Sequence, residues 1–249
     1  MIRLAGAGEL RELRSDDPFY TRVLSLCESY GAGYDFVGFW VQEDQGGTVS
    51  AVSRFEDKFS LYLTDRSDIE EIAAFLRFQS AGSVMFNSRY SLGFDSVKEI
   101  SGDVLVYKDG TYISDKEIFV PDIKSLYSLL KSCESDIFIV PDYLTFLSDV
   151  THRSNLGKCT VIAAGIDGIL ASSAMTVSET GSAAILGAVA THPAFRRRGL
   201  SRELVRTLAS RIASQGRAVY VFSASEANTR FYLGSGFEIR AGFREMFLQ

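Results

Sequence analysis

The segment that decides the fold prediction spans residues 189–201 and reads VATHPAFRRRGLS. It passes from an apolar strand into a basic turn that contains Gly199, and then into a helix. That order of elements places backbone N–H groups, the positive end of a helix dipole and several guanidinium groups around one small volume. The segment therefore predicts a binding site for a phosphate-bearing ligand.

The pattern around this segment predicts strands and helices in alternation. The expected strands are 158–164, 169–178, 183–190, 218–223 and 237–243, and the expected helices are 122–133, 141–151, 200–215 and 228–233. Within 200–215, leucine or isoleucine recurs every fourth residue from Leu200 to Ile212, which is typical of a helix that packs on a sheet.

The pattern of the N-terminal half predicts a helical segment over 9–30, in which residues 16–18 give the start signal of a second helical stretch. A strand meander is expected to follow. Its expected strands are 36–41, 48–55, 59–63, 83–86 and 103–107, with a helix over 65–79. A polar, turn-rich stretch over 110–121 follows. We expect two domains, residues 1–130 and residues 131–249.

Charge is shared unevenly along the chain, whose net charge is −5. Residues 1–135 carry 14 Lys and Arg against 22 Asp and Glu, whereas residues 136–249 carry 12 against 9. Seven arginines fall within 196–217, where Glu203 is the only acid. A focused basic patch on an acidic protein favours a small anionic ligand over nucleic acid, which needs a wider basic surface.

Cysteine, histidine and hydropathy patterns exclude several classes of protein. Three cysteines and two histidines lie far apart, so we expect free buried thiols, no disulfide framework and no bound metal. The first residues lack the apolar stretch of a signal peptide, and no apolar run reaches the roughly 18 residues of a membrane span. We expect a soluble cytoplasmic protein that does not associate with a membrane.

The C-terminal half resembles the GNAT superfamily of N-acetyltransferases. That family's pyrophosphate-binding pattern is Arg or Gln, two residues, Gly, one residue, then Gly or Ala, and here Arg196, Gly199 and Ser201 occupy it. Serine departs from the pattern at the last position, but it is small enough for a close backbone approach. The preceding strand, the following helix and the Phe231-Tyr232 to Gly236-Phe237 ending extend the resemblance over residues 136–249.

The resemblance implies an α/β (α+β) fold with a mixed, mostly antiparallel sheet flanked by helices. The N-terminal half lacks the pyrophosphate pattern. It is expected to be either a degenerate repeat of the same domain, which would make the protein a tandem, or an accessory domain that shapes the substrate cleft. Its acidity would suit a cationic substrate, although an acidic solvated surface is the ordinary explanation.

The resemblance also assigns residues to coenzyme A. The backbone of the strand end would pair with pantetheine, the N–H groups of 197–201 would hold the pyrophosphate, and neighbouring guanidiniums would meet the phosphates. The assigned residues are Val189, Ala190, Thr191, Arg196, Arg197, Arg198, Gly199, Leu200, Ser201 and Asn228. Tyr232 matches a tyrosine that donates a proton to the departing thiolate; the alternative is a core tyrosine with a bonded hydroxyl.

These assignments imply direct transfer of an acetyl group from acetyl-coenzyme A, as co-substrate, to an amine in a ternary complex. The acceptor would be a small molecule or a peptide, and the protein a monomer or homodimer. Two other functions stay open: a coenzyme-A-binding sensor or interaction module without turnover, and a basic-helix nucleic-acid binder. Candidate bases for the acceptor ammonium are Glu179, Glu226, His152 and His192, and a water chain could replace them.

Overall fold

The computed structural model describes residues 1–13, 15–136 and 138–248, so Arg14 of the predicted helical segment 9–30 lies outside it. The described residues divide into two compact units. Unit 1 contains Met1–Val104 and the described residues from Arg240 onward, and unit 2 contains Leu105–Ile239. The division differs from the predicted boundary at residue 130, because the residues that follow Val104 pack into the cores of unit 2.

Unit 1 begins with a short strand and two helices, which are followed by a meander. The elements in chain order are β1 (Ile2–Leu4), α1 (Ala7–Glu12), α2 (Pro18–Tyr30), β2 (Val37–Asp44), β3 (Gly47–Phe55), β4 (Lys58–Leu63), α3 (Ile69–Phe78), β5 (Ser83–Asn87) and β6 (Lys98–Tyr107). Asp17 accepts hydrogen bonds from the N–H groups of Phe19 and Tyr20, so α2 starts where the Asp-Asp-Pro signal predicts.

Unit 2 repeats the order of two helices, a three-stranded meander, a helix and a further strand. Its elements are α4 (Ile123–Lys131), α5 (Tyr143–Asn155), β7 (Val161–Ile166), β8 (Ile169–Glu179), β9 (Ala183–Thr191), a 3₁₀ turn (Pro193–Phe195), α6 (Leu200–Ala213), β10 (Ala218–Ser223), α7 (Glu226–Leu233) and β11 (Phe237–Phe247). The boundaries between the units fall within β6, after Val104, and within β11, after Ile239.

The strand pairing follows the same scheme in both units. In unit 1, β2, β3 and β4 form an antiparallel meander, and β5 then pairs parallel to β4. In unit 2, β7, β8 and β9 form an antiparallel meander, and β10 pairs parallel to β9. A helix connects each parallel pair, α3 in unit 1 and α6 in unit 2. Each unit is therefore a mixed, mostly antiparallel sheet flanked by helices.

Helices cover both faces of the sheet in unit 2. One core lies under α6 and contains Leu204, Leu208 and Ile212, whereas a second lies under α4 and α5. Neighbouring residues of β7 alternate between the two cores, with Ile162 in the first and Val161 in the second. Since both faces are buried, β7 and β9 consist almost entirely of apolar residues, whereas β8 also carries buried serine and threonine side chains.

The predicted elements are present, with changes at their ends. Helix α7 begins at Glu226, two residues before the prediction, because Ser225 caps it. Strand β1 was not predicted, since three residues carry too short a pattern. None of the helices within the described residues is long and apolar enough to cross a membrane.

Candidate functional site

The central feature of unit 2 is a cleft between two strands that separate. The parallel register of β9 and β10 runs from Ala183 with Ala218 to Leu186 with Val221, and ends there. Strand β9 continues to Thr191 without β10 beside it. A cleft of about 1050 Å³ opens at this point, and residues 186–191 line it. Backbone groups of β9 that would otherwise bond to a neighbouring strand are thus available to an extended ligand.

A bulge in β9 shapes the cleft wall. Between the pairs Ser173 with Ala190 and Met175 with Gly187, β9 has one more residue than β8. The extra residue falls at Ala188, whose φ of 46° is positive. The bulge changes which side of the sheet the following side chains face. As a result, Leu186 and Val189 both pack toward α6, whereas Ala190 packs toward α4.

The N-terminus of α6 is built differently from those of the other long helices. Among the described helices of eight or more residues, α6 alone has no side-chain cap, since Gly199 occupies the cap position with a φ of 78°. A Cβ at Gly199 would meet no atom within 4 Å. In the described part of the chain, no hydrogen bond uses the N–H groups of residues 197–201. These donors lie at the positive end of the helix dipole, an arrangement that suits an anion.

Basic side chains surround this helix end. Arg196, Arg197 and Arg198 are exposed and line the cleft, as do Arg202 and Arg230. The Nε–H of Arg196 donates to the carbonyl oxygen of Thr191 at 3.2 Å, which holds the side chain along the strand end. The basic patch is therefore concentrated at the cleft mouth.

Two other arginines of the basic segment contact partners outside the cleft. Arg206 lies 4.1 Å from the ring centre of Tyr112 and bonds to Asp109. Arg217 pairs with buried Glu179 at 2.8 Å. The sequence places seven arginines in one basic segment, but it does not show that Arg206 and Arg217 have acidic partners elsewhere in unit 2.

Tyr232 lies in the cleft with its ring between Phe231 and Phe237. Only 9% of the residue is exposed. Within the described residues no hydrogen bond of its hydroxyl is present, which disfavours the alternative of a core tyrosine with a bonded hydroxyl. Burial raises the pKa of the phenol to about 12, so the group stays protonated at physiological pH.

Asn228 also lines the cleft and is exposed, but it does not cap α7. The N–H of Asn228 donates to the hydroxyl of Ser225 at 3.2 Å, and Ser225 is the cap. The side chain of Asn228 is therefore not needed to start the helix. All the residues assigned to coenzyme A line this one cleft, together with Tyr232.

None of the four candidate bases is among the described residues that line the cleft. Burial alone would raise the pKa of Glu179, but the hydroxyl of Thr176 and the guanidinium of Arg217 hold it below its usual value. Glu226 pairs with Arg230 at 2.7 Å, and His192 accepts from the N–H of Ala194 at 3.3 Å. Their positions favour structural roles.

The cysteines differ from the expectation of three buried thiols. Cys27 and Cys159 are buried, and burial raises the pKa of each thiol, that of Cys27 to about 11. Cys133 is only half-buried because it lines the cleft, and its thiol donates to the carbonyl oxygen of Thr191 at 3.4 Å. Among the described residues, no group of three or more His, Cys, Asp or Glu side chains could hold a metal.

The corresponding place in unit 1 lacks these features. Asp68 caps α3 by accepting from the N–H of Glu71 at 3.0 Å, and Glu70 adds a second acid to the first turn. The hydroxyl of Tyr90 donates to the carbonyl oxygen of Leu63 at the end of β4, at 3.3 Å. The helix end that is uncapped and basic in unit 2 is therefore capped and acidic in unit 1.

Solved structures of acetyltransferases share this architecture over nearly the whole chain. An acetyltransferase of the GNAT family from Colwellia psychrerythraea matches with a TM-score of 0.60 and 11% identity, covering 100% of both chains. A GCN5-related N-acetyltransferase from Sphaerobacter thermophilus matches with a TM-score of 0.59 and 14% identity, covering 99% of this chain and 95% of the other. The chain has the GNAT fold.

The GNAT fold extends over both units. A tandem GNAT protein from the clavulanic acid biosynthesis pathway matches with a TM-score of 0.58 and 13% identity, covering 99% of this chain and 98% of the other. A family model described as FR47-like protein matches residues 166–245. No curated protein matches the chain at a significant level. The GNAT resemblance of the C-terminal half is thus confirmed at the level of the fold.

Several cleft residues of this GNAT fold were not among the residues assigned to coenzyme A from the sequence. Arg202 and Arg230 lie outside the short pattern, and Cys133 and Phe138 come from the connection between α4 and α5. Helical spacing could have indicated Arg202, which lies in the first turn of α6, four residues after Arg198. No sequence signal places the α4–α5 connection at the cleft, since only the packing of distant elements brings it there.

Proposed function

We propose that this protein is an N-acetyltransferase that moves an acetyl group from acetyl-coenzyme A to an amine by direct transfer in a ternary complex. The observation that carries the proposal is the combination, in one cleft, of an uncapped basic helix end, an unpaired strand edge and a buried protonated tyrosine. The proposed acceptor is a small-molecule or peptide amine. We propose a cytoplasmic monomer or homodimer.

The residues of the cleft fit coenzyme A. The free N–H groups of 197–201 supply donors for the pyrophosphate, and five arginines supply positive charge around it. The cleft volume of about 1050 Å³ slightly exceeds the range of roughly 300–1,000 Å³ that is usual for small-molecule pockets, so the cleft can hold a large ligand. An extended pantetheine arm would follow β9 from the basic turn toward Tyr232.

Strand register suggests which backbone groups meet that arm. The carbonyl of Ala190 accepts the hydroxyl proton of Ser172 at 2.8 Å, and Ala190 is paired with Ser173 of β8. Backbone groups alternate in direction along a strand, so those of Val189 and Thr191 face the open edge. We therefore assign the pantetheine amides to Val189 and Thr191, and we assign Ala190 to the wall alone.

Coenzyme A would supply the acetyl group as a thioester and would leave as a thiol. The chain must orient the thioester, stabilise negative charge on its carbonyl oxygen and protonate the departing sulfur. We assign carbonyl polarisation to a backbone N–H of Val189 or Thr191. We assign the proton to Tyr232, whose raised pKa ensures that the phenol carries it before the reaction.

The second candidate function is a coenzyme-A-binding sensor or interaction module without turnover. It is favoured by the lining of the cleft, which includes no Asp, Glu or His among the described residues. If the protein is instead an enzyme, this lining means that an acceptor ammonium loses its proton to water and not to a side chain. The two functions share the donor site and differ only in whether an amine reacts there.

Binding and turnover separate these functions. Isothermal titration calorimetry with acetyl-coenzyme A should show saturable binding that is lost in Arg196→Glu. Binding should be kept in the control Arg211→Glu, because Arg211 is exposed in the last turn of α6, at the other end of the helix. Thiol release is then measured across a panel of amines, amino acids, peptides and aminoglycosides. Tight binding with no amine-dependent thiol release would support the sensor, and no binding would reject both functions.

A further inference from the structure

A line of hydroxyl groups runs from the middle of the sheet to the start of α6. Ser172 of β8 lies opposite Thr191 of β9. The N–H of His192 donates to the carbonyl of Ala171 at 2.9 Å, so Ser172 and Thr191 form a non-hydrogen-bonded pair, in which side chains approach closely. Their hydroxyl oxygens lie 2.8 Å apart, and the hydroxyl of Thr191 also contacts that of Ser201.

The direction of the protons in this line follows from its buried end. Ser172 is 0% exposed and donates to the carbonyl oxygen of Ala190, which can only accept. Each hydroxyl carries a single proton, so Thr191 must donate to Ser172, and Ser201 must donate to Thr191. The proton of Ser201 is therefore committed to the sheet, and its oxygen offers only lone pairs to the cleft.

A hydroxyl that presents lone pairs is a poor ligand for an anion. We infer that Ser172, Thr191 and Ser201 act as positioning residues, which fix the first turn of α6 to β8 and so hold the backbone N–H groups of 197–201 in place for the pyrophosphate. Ser201 then anchors the turn and does not bind phosphate through its hydroxyl. This inference rests on the proposed function, because it assigns the diphosphate of coenzyme A to that turn.

The chain provides matched controls for each hydroxyl. Ser173 is adjacent to Ser172 and also 0% exposed, and Thr207 is 3% exposed on α6. Neither hydroxyl has a hydrogen-bond partner in the described part of the chain. Ser173→Ala and Thr207→Val therefore remove a buried hydroxyl from the same elements without breaking the line, whereas Ser172→Ala, Thr191→Val and Ser201→Ala break it.

Two ligands distinguish positioning of the turn from a general loss of structure. Coenzyme A contains the diphosphate, and pantetheine has the same thiol arm without it. Titration calorimetry gives the Kd of each ligand, by competition where binding is weak, and urea unfolding gives the stability of each variant. Each line-breaking variant should bind coenzyme A about three- to tenfold more weakly, as expected for one lost hydrogen bond. Ser172→Ala, whose residue does not line the cleft, should keep the pantetheine affinity of the wild type.

Two further results are expected if the hydroxyls act as a unit. The double variant Ser172→Ala with Thr191→Val should lose no more affinity than the stronger single variant, because the first substitution already breaks the line. Thr191→Ser should keep the affinity of the wild type, since it retains the hydroxyl. The controls Ser173→Ala and Thr207→Val should also keep it.

The outcomes separate this inference from the proposed function. If the wild type fails to bind coenzyme A, the proposed function is rejected and the inference with it. If the wild type binds but Ser172→Ala and Thr191→Val match their controls, the positioning inference is overturned while the function stands. An effect of Ser201→Ala alone would also overturn it, because Ser201 would then contact the phosphate directly. If one variant does not fold, the other two carry the test.

Discussion

Tyr232→Phe should lower turnover while leaving the stability of the protein close to that of the wild type. The phenol is buried, and no partner for its hydroxyl is found among the described residues. Because the hydroxyl faces the cleft and makes no hydrogen bond within the described residues, its removal should change the free energy of unfolding by less than about 1 kcal/mol. A residue that donates the leaving-group proton should, when removed, slow transfer by about 10²-fold or more.

Alkaline pH gives a second measure of the same hydroxyl. Burial raises the folded pKa of Tyr232 from 10.0 to about 12, so the stability linked to its neutral form is complete below pH 10 and is lost as the pH rises toward 12. At pH 11 the wild type should have lost about 1 kcal/mol through this group, because its unfolded form ionises and its folded form does not. Tyr232→Phe lacks this loss.

The assay combines three measurements on wild type and variant. Thiol release under saturating donor gives turnover, titration calorimetry gives the affinity for acetyl-coenzyme A, and urea unfolding at pH 8 and pH 11 gives stability. Subtracting the pH-dependent change in unfolding free energy of the variant from that of the wild type removes the contribution of the other tyrosines. Full turnover in the variant would remove Tyr232 from the mechanism, and a loss of 2 kcal/mol or more at pH 8 would show that its hydroxyl is bonded.

Three further predictions concern the cleft and its support. Gly199→Ala should cost about 1 kcal/mol of stability because of its positive φ, and it should weaken coenzyme A binding as measured by calorimetry. The control Gly168→Ala, at a φ of 75° with open space around it, should cost the same stability and leave coenzyme A binding intact. Gly187→Ala should destabilise by about 1–3 kcal/mol, because its Cβ would lie 2.6 Å from a methyl group of Val177. Adding Val177→Ala should restore most of that stability in thermal unfolding, and no restoration would contradict the assigned clash. Glu179→Gln leaves a largely buried arginine unpaired and should cost about 3–5 kcal/mol. Since the folded pKa of Glu179 is lowered, the wild type keeps this contribution above the ordinary pKa of Glu and loses it as the pH falls, so urea midpoints of wild type and variant should converge in acid.

Sequence periodicity was sufficient to predict most elements. The four-residue spacing from Leu200 to Ile212 specified the face of α6 that packs on the sheet, and Leu200, Leu204, Leu208 and Ile212 are all buried. Gly199 after three arginines indicated the uncapped, basic start of α6, because local backbone conformation and local charge are set by neighbouring residues. The equivalence of the two halves was visible only as an order of helix, meander and helix.

What the sequence by itself determined is the set of local features, which are the apolar strands, the amphipathic helix and the basic turn of residues 189–201. Only the tertiary structure decided where β9 and β10 part and which arginines meet acidic partners. It also decided that Cys133 lines the cleft and that Ser172 supports a turn 29 residues away. These features depend on contacts between residues distant in sequence, and residue spacing carries no information about which of those contacts form.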